Sequence, residues 1–136
     1  MILASLLPLP LNADSPDDLV VFVNVRSSVS DLSVSELKQI FLKKKTRWPN
    51  GEKIDCLNQP EGSLVRQVFR TKILGMTDAD ESTYWQNQKI RSQMSPPIQL
   101  SNTPKAVFRL TNAVSYAFRK DLSAAEGVVK IILVVP

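Results

Sequence analysis

Two nearly unbroken runs of β-branched and aliphatic residues constrain the fold of this chain more than any other feature. They are "DLVVFVNV" at residues 18–25 and "VVKIILVV" at residues 128–135. The first run is the signature of a strand buried on both faces, and the second predicts a further strand. The chain has 136 residues, which is enough for one domain with one such core.

Amphipathic segments between these runs predict the covering helices. In "LSVSELKQIFL" Ser33 can cap a helix, and a glutamate stands three residues later, as in a capping box. Residues 64–74 carry apolar side chains one helical turn apart, and Gly75 is a natural end for that helix. Thr77 predicts the start of a further helix that runs to about residue 89.

The second half of the chain continues the alternation of strands and helices. Thr103 is predicted to cap a short helix with Pro104 at its first position. Alternating or apolar stretches at residues 53–57 and 114–118 predict two more strands. The whole pattern predicts an α/β fold in a single domain, without internal repeats.

The rare residue types exclude several kinds of active site. The chain has no histidine, which excludes a Ser–His–Asp triad, a Cys–His pair and the common histidine-ligated zinc sites. Its one cysteine, Cys56, excludes an internal disulfide and a multi-thiolate metal cluster. We interpret Cys56 as a small buried strand residue, with a reactive thiol as the alternative. We therefore expect no enzyme, no catalytic residue, no metal and no cofactor.

The net charge of +4 is concentrated in one short segment. Aromatic residues make up 7% of the chain, and none is interleaved with the basic run as a base-stacking surface requires, so nucleic acid is not an expected partner. Such a segment is most often solvated, but it could also form an interaction surface with a neighbouring tryptophan. The predicted surface residues are Lys43, Lys44, Lys45, Arg47 and Trp48.

Residues 1–13 form an apolar run that is too short to span a bilayer, which takes about 20 residues. The run is similar to the apolar core of a secretory signal, and Ala13 is a candidate last residue before cleavage. A positively charged leader is missing, and the alternative is an N-terminal arm. The signal interpretation predicts a periplasmic or secreted protein without a transmembrane span.

Two blocks, "LSVSELKQIFLKKKTRW" and "NQPEGSLVRQVFRTKILG", resemble the phosphate-binding subunits of ABC transporters. These subunits are periplasmic substrate-binding proteins of the type II, bilobed class. The similarity covers about residues 19–118 and extends to the second lobe only. It implies a single three-layer lobe over residues 14–136, with a central mixed sheet flanked by helices. It also implies a small oxyanion, such as phosphate or sulfate, as ligand, and a transporter or envelope protein as partner.

The glycine-led turn before residues 64–74 is the predicted ligand site. The first amides of a helix are unpaired and lie at the positive end of its dipole, which suits an anion. By resemblance, Ser63 takes the place of the family's turn serine, and Arg66 that of its common helical arginine. The predicted anion-binding residues are Gly62, Ser63, Leu64, Val65 and Arg66.

The site departs from the family pattern at several positions. Leu64 replaces a glycine, Val65 replaces a threonine, and Gln59 stands where an arginine often binds phosphate. Lys43 replaces a glycine that ends a helix with positive φ, so we expect this helix end to find another cap. These departures predict weak anion binding at most.

The alternative is a purely structural role for the turn. Ser63 would then be a plain helix cap, and Arg66 an exposed helix residue paired with Glu61 or Glu52. In that case the chain would be an accessory interaction domain that kept the fold and lost its ligand.

Overall fold

A five-stranded mixed sheet organises the chain in the computed structural model, which describes residues 14–125 and 127–136. β2 runs parallel to both of its neighbours, whereas β1 runs antiparallel to β4 and β5. The order across the open sheet is β3-β2-β4-β1-β5. The predicted α/β fold with a central mixed sheet is therefore confirmed. The strands are β1 (Leu19–Asn24), β2 (Asp55–Asn58), β3 (Ile98–Gln99), β4 (Ala113–Phe118) and β5 (Val129–Val135).

Helices cover both faces of the sheet. The first three helices pack on one face, and the fourth packs on the other together with a 3-10 segment, Arg119–Ala125. The second helix continues without a break into a π-helical segment, Arg70–Leu74. The α-helices are α1 (Val34–Phe41), α2 (Leu64–Phe69), α3 (Asp78–Ser92) and α4 (Thr103–Arg109).

β1 lies at the centre of the core, and all six of its residues are buried. Val21 and Val23 contact the cluster formed with α1, α2 and α3, whereas Val20 and Phe22 contact the cluster formed with α4. Alternate side chains of a strand point to opposite faces, so a fully apolar strand joins both layers. The burial on two faces that the sequence predicted is confirmed.

The predicted helix ends at Ser33, Gly75 and Thr77 are confirmed. Ser33 and Thr77 each form a capping box, in which the cap and the third helical residue exchange hydrogen bonds. Gly75 ends the π-helical segment in the left-handed conformation, with φ of 62°. Such a residue closes the helix by bonding back to its last carbonyls.

Two other predicted helix ends are wrong. Asn102 caps α4, because its side-chain oxygen accepts from the Lys105 amide at 3.2 Å, and Thr103 is already the first helical residue. Pro104 consequently takes the second helical position. The end of α1 was expected to use a cap other than residue 43. Instead, Lys43 itself adopts the left-handed conformation that a glycine usually provides there, with φ of 58°.

The strand limits differ from the sequence prediction mainly at β2. This strand begins at Asp55, since Lys53 instead forms an isolated bridge with Arg47 that closes the intervening turn. The predicted signal segment, residues 1–13, lies outside the described residues. Within residues 14–125 and 127–136, no helix combines the length and the apolar character needed to cross a bilayer.

Candidate functional site

Aromatic packing holds the start of α2 against the sheet. The rings of Phe69 in α2 and Tyr116 in β4 stack with centroids 3.7 Å apart, and Phe41 of α1 meets Phe69 edge-on at 4.8 Å. The Tyr116 hydroxyl donates to Asn58 at the end of β2 and accepts from the Gln59 amide. Burial raises the pKa of Tyr116, so its hydroxyl stays a neutral donor. These hydrogen bonds fix the start of the loop that follows β2.

Gln59 is a buried residue whose side chain is used inside the protein. Its amide nitrogen donates to the Thr103 hydroxyl at 3.1 Å and to the Tyr116 carbonyl at 2.8 Å. These bonds join the end of β2 to α4 and β4. Gln59, where the resemblance implied a possible anion-binding arginine, is therefore a structural residue in this chain.

The predicted turn is followed by two amides that have no partner among the described residues. Gly62 has φ of 87°, a conformation that only glycine adopts readily. Ser63 caps α2, since its hydroxyl accepts from the Arg66 amide at 3.3 Å and donates to the Pro60 carbonyl at 2.7 Å. The amides of Leu64 and Val65 have no hydrogen-bond partner among the described residues, and Leu64 is 65% exposed.

Arg66 is buried, with 5% of its surface exposed, so the expectation that it would be an exposed helix residue is wrong. Its guanidinium donates to the Gln59 carbonyl at 3.0 Å. It also lies 3.1 Å from the Glu61 carboxylate and 3.5 Å from Glu81. The pairing with Glu61 that the purely structural alternative foresaw is confirmed, and Glu52 is not a partner.

Arg70 is a second buried arginine that the sequence analysis missed. Its three guanidinium nitrogens contact Glu81 at 2.8 Å, Asp78 at 2.7 Å and Glu61 at 2.7 Å. Burial lowers the pKa of Arg70, but the hydrogen bonds that it donates to Glu81 and Glu61 outweigh this effect, and the net shift is upward. The spacing from Arg66 was the available signal, because helical residues four apart lie on one face.

The Glu61 carboxylate bridges the two arginines. One of its oxygens contacts Arg66 and the other contacts Arg70, while 56% of its side chain remains exposed. Two guanidinium groups thus meet three carboxylates, those of Glu61, Asp78 and Glu81, and the cluster has a formal charge of −1. Arginine pairs suit oxyanions, but here the chain's own carboxylates already contact both guanidinium groups.

A cavity of about 410 Å³ lies beside this cluster. Trp85 of α3 lines it together with the two arginines, and the indole N–H has no partner among the residues described. The cavity is large enough for a small solute, since ligand pockets start at roughly 300 Å³.

Comparison with known protein families and with curated proteins found no match. Solved structures do match. An ABC-type phosphate transport receptor from Vibrio cholerae is 19% identical, with a TM-score of 0.65, over 88% of this chain and 47% of the receptor. A protein assigned as a phosphate ABC transporter substrate-binding protein from Clostridium perfringens, solved with bound phosphate, is 18% identical with a TM-score of 0.57; the match covers 88% of this chain and 55% of that one. A possible phosphate binding protein from Planctomyces limnophilus is 20% identical with a TM-score of 0.63, over 85% of this chain and 40% of that one.

The chain has the fold of one lobe of a periplasmic binding protein. It spans about half of the length of these three proteins. The resemblance predicted from the sequence is therefore confirmed for the fold, and the three proteins are described as transport or binding proteins. At 18–20% identity the likeness concerns the fold of this lobe and not its ligand.

The predicted interaction surface is only partly a surface. Trp48 is 3% exposed, and its indole nitrogen donates to the Asn112 carbonyl at 2.9 Å, so its inclusion was wrong. It packs inside because the bridge of Arg47 with Lys53 turns this segment back onto the core. The lysines of residues 43–45 lie at least partly in solvent and remain candidates for contacts.

Cys56 lies in β2 and is half-buried, which agrees with its interpretation as a strand residue. Its sulfur lies 3.8 Å from the Ile40 carbonyl. Burial raises the pKa of the Cys56 thiol to about 11. Because the thiolate is the reactive form, this cysteine is a poor nucleophile at neutral pH.

Proposed function

We propose that this protein is a solute-binding-like domain that takes a small oxyanion, such as phosphate or sulfate, outside the cytoplasm. The binding groups are the Leu64 and Val65 amides and the Arg66 guanidinium, beside Gly62. Ser63 holds the turn in place, because its hydroxyl already donates to the Pro60 carbonyl. The single observation that carries the proposal is the pair of amides at Leu64 and Val65, which have no partner among the described residues and lie next to the buried Arg66. The likeness to phosphate-binding proteins supports it.

Two physical effects favour an anion here. Unpaired amides at the first turn of a helix donate to anions and lie at the positive end of the helix dipole. Gly62 has no side chain to shield these amides, and its positive φ brings the chain sharply into α2.

The neighbouring carboxylates set the affinity. The Glu61 carboxylate lies 3.1 Å from the Arg66 guanidinium. An oxyanion that binds Arg66 must displace this carboxylate or share the guanidinium with it. Because the cluster is already negative by one charge, the approach of phosphate is opposed. We therefore expect an affinity well below that of a dedicated transport receptor.

A proline at position 64 tests the proposal without relying on a buried arginine. Leu64 is the first helical residue, where proline is tolerated, and Ser63 has ψ of 148°, which suits the residue before a proline. Leu64→Pro removes one amide N–H, and Leu64→Ala is the matched control that keeps it. A hydrogen bond to a charged group contributes about 1.5–3 kcal/mol, so the proline variant should bind phosphate at least about tenfold more weakly.

The measurement is an amide NMR titration with phosphate, and with chloride at equal ionic strength. In the wild type and in Leu64→Ala, we expect the amide signals of residues 64 and 65 to shift saturably with phosphate. In Leu64→Pro we expect much weaker phosphate binding, followed by the amide signal of Val65. Unshifted amides at millimolar phosphate, or equal affinities of the two variants, would contradict the proposal.

A further inference from the structure

A second cavity, also of about 410 Å³, lies beside the first half of β2 and does not include the turn at residues 62–66. It is formed where the end of α1, the start of β2 and the segment before β3 meet. Its lining is mainly apolar. The apolar lining residues include Ile40, Ile54, Leu57, Pro97, Ile98 and Leu110.

This cavity leaves large apolar side chains in contact with water. Ile98 is 55% exposed and Leu110 is 40% exposed, although both line the same concave surface. An apolar occupant that covers this surface removes it from water, which favours binding. A concave apolar surface with a few polar groups is the usual form of a small-molecule site.

The lining of this cavity also carries positive charge. Lys43, Lys45 and Lys53 all line the cavity, against one carboxylate, Asp55. Lys45 is 3.7 Å from Glu36, which leaves Lys43 and Lys53 outside the ion pairs formed among the described residues. A complementary occupant therefore has an apolar body and a negative end.

We propose that this cavity binds an alkyl carboxylate, such as a medium-chain fatty acid. The alkyl chain covers the apolar lining, and the carboxylate lies among the lysines at the edge. Both the alkyl chain and the carboxylate are needed for binding. A small carboxylate without the chain is held only weakly by exposed lysines, and an alkyl chain with a positive end is repelled by them. This site is independent of the proposed oxyanion site.

Cys56 provides a reporter inside the cavity, since it lines the site and is the chain's one cysteine. The experiment measures the rate of Cys56 alkylation by uncharged iodoacetamide at pH 9. The added probes are decanoate below its micellar concentration, acetate and decyltrimethylammonium. We expect saturable protection of at least about fivefold by decanoate and none by the other two.

Variants test the part played by the lysines. Lys43→Gln with Lys53→Gln removes two charges from the cavity, and Lys105→Gln with Arg91→Gln removes two charges elsewhere on the surface. We expect decanoate to bind about five- to tenfold more weakly to the first pair and unchanged to the second. The proposal is overturned if decanoate leaves the alkylation rate unchanged or raises it, if the cationic amphiphile protects equally, or if both variants bind alike.

Discussion

Removing the charge of Glu61 should strengthen anion binding. In Glu61→Gln the side chain keeps its shape but no longer competes as a carboxylate for Arg66 and Arg70. If the oxyanion site lies beside these arginines, the wild-type carboxylate is its internal competitor. The variant therefore tests whether the Glu61 carboxylate weakens anion binding by competing for the arginines.

The contacts of Glu61 set the size of the effect. Its oxygens lie 3.1 Å from Arg66 and 2.7 Å from Arg70, but its side chain is 56% exposed, so solvent screens both pairs. Screened pairs contribute up to about 1 kcal/mol each, which gives about 1–2 kcal/mol for the two together. Phosphate should bind about 5- to 30-fold more tightly when this competition is removed. Both arginines keep Glu81, so the fold should lose no more than about 2 kcal/mol.

The assay is a phosphate titration followed by NMR at low ionic strength, together with urea unfolding of each variant. Glu52→Gln is the matched control, because Glu52 is exposed and belongs to no ion pair within the described part of the chain. Equal phosphate affinity of the two variants, or weaker binding by Glu61→Gln, would refute the competition.

Three further outcomes test the structure. Lys43→Gly should raise the free energy of unfolding, as measured in urea titrations, by about 0.5 kcal/mol. The glycine relieves the strain of the left-handed conformation, but its larger entropy in the unfolded chain partly offsets the gain. Lys44→Gly, at a negative φ, should instead lower the free energy of unfolding. Trp48→Ala should lower the free energy of unfolding by about 3–5 kcal/mol, as for a core residue, and a loss below about 0.5 kcal/mol would mean that Trp48 is a surface residue. The alkylation rate of Cys56 in the folded protein should rise about tenfold per pH unit from pH 7 to 10, because burial raises the pKa of its thiol to about 11. In the unfolded protein in urea, the rate should level off above pH 9. The same pH profile in both states would contradict the burial of Cys56.

The fold was largely predictable because its signals are local. Apolar runs predicted β1 and β5 within a residue or two of their observed ends, and the capping box at Ser33 gave the start of α1. The cap of α4 was misassigned because Asn102 and Thr103 are both good cap residues one position apart, and sequence alone does not distinguish them.

The charged cluster was not predictable in the same way. The pairing of Arg66 with Glu61 was foreseen, but Glu81 of α3 also converges on Arg66 and Arg70, and a pattern within α2 does not reveal that contact. Trp48 was misplaced for a similar reason: its burial depends on a bridge that returns the chain to the core.

The π-helical segment Arg70–Leu74 affects how this lobe can be aligned with its structural neighbours. A π-helical turn bonds each residue to the fifth one along, so it accommodates one residue more than an α-helical turn. An alignment with an uninterrupted α-helix therefore needs a single-residue gap inside this segment. Positions before the gap, including Arg66, and positions after it, including Gly75, then correspond to the neighbour with different offsets.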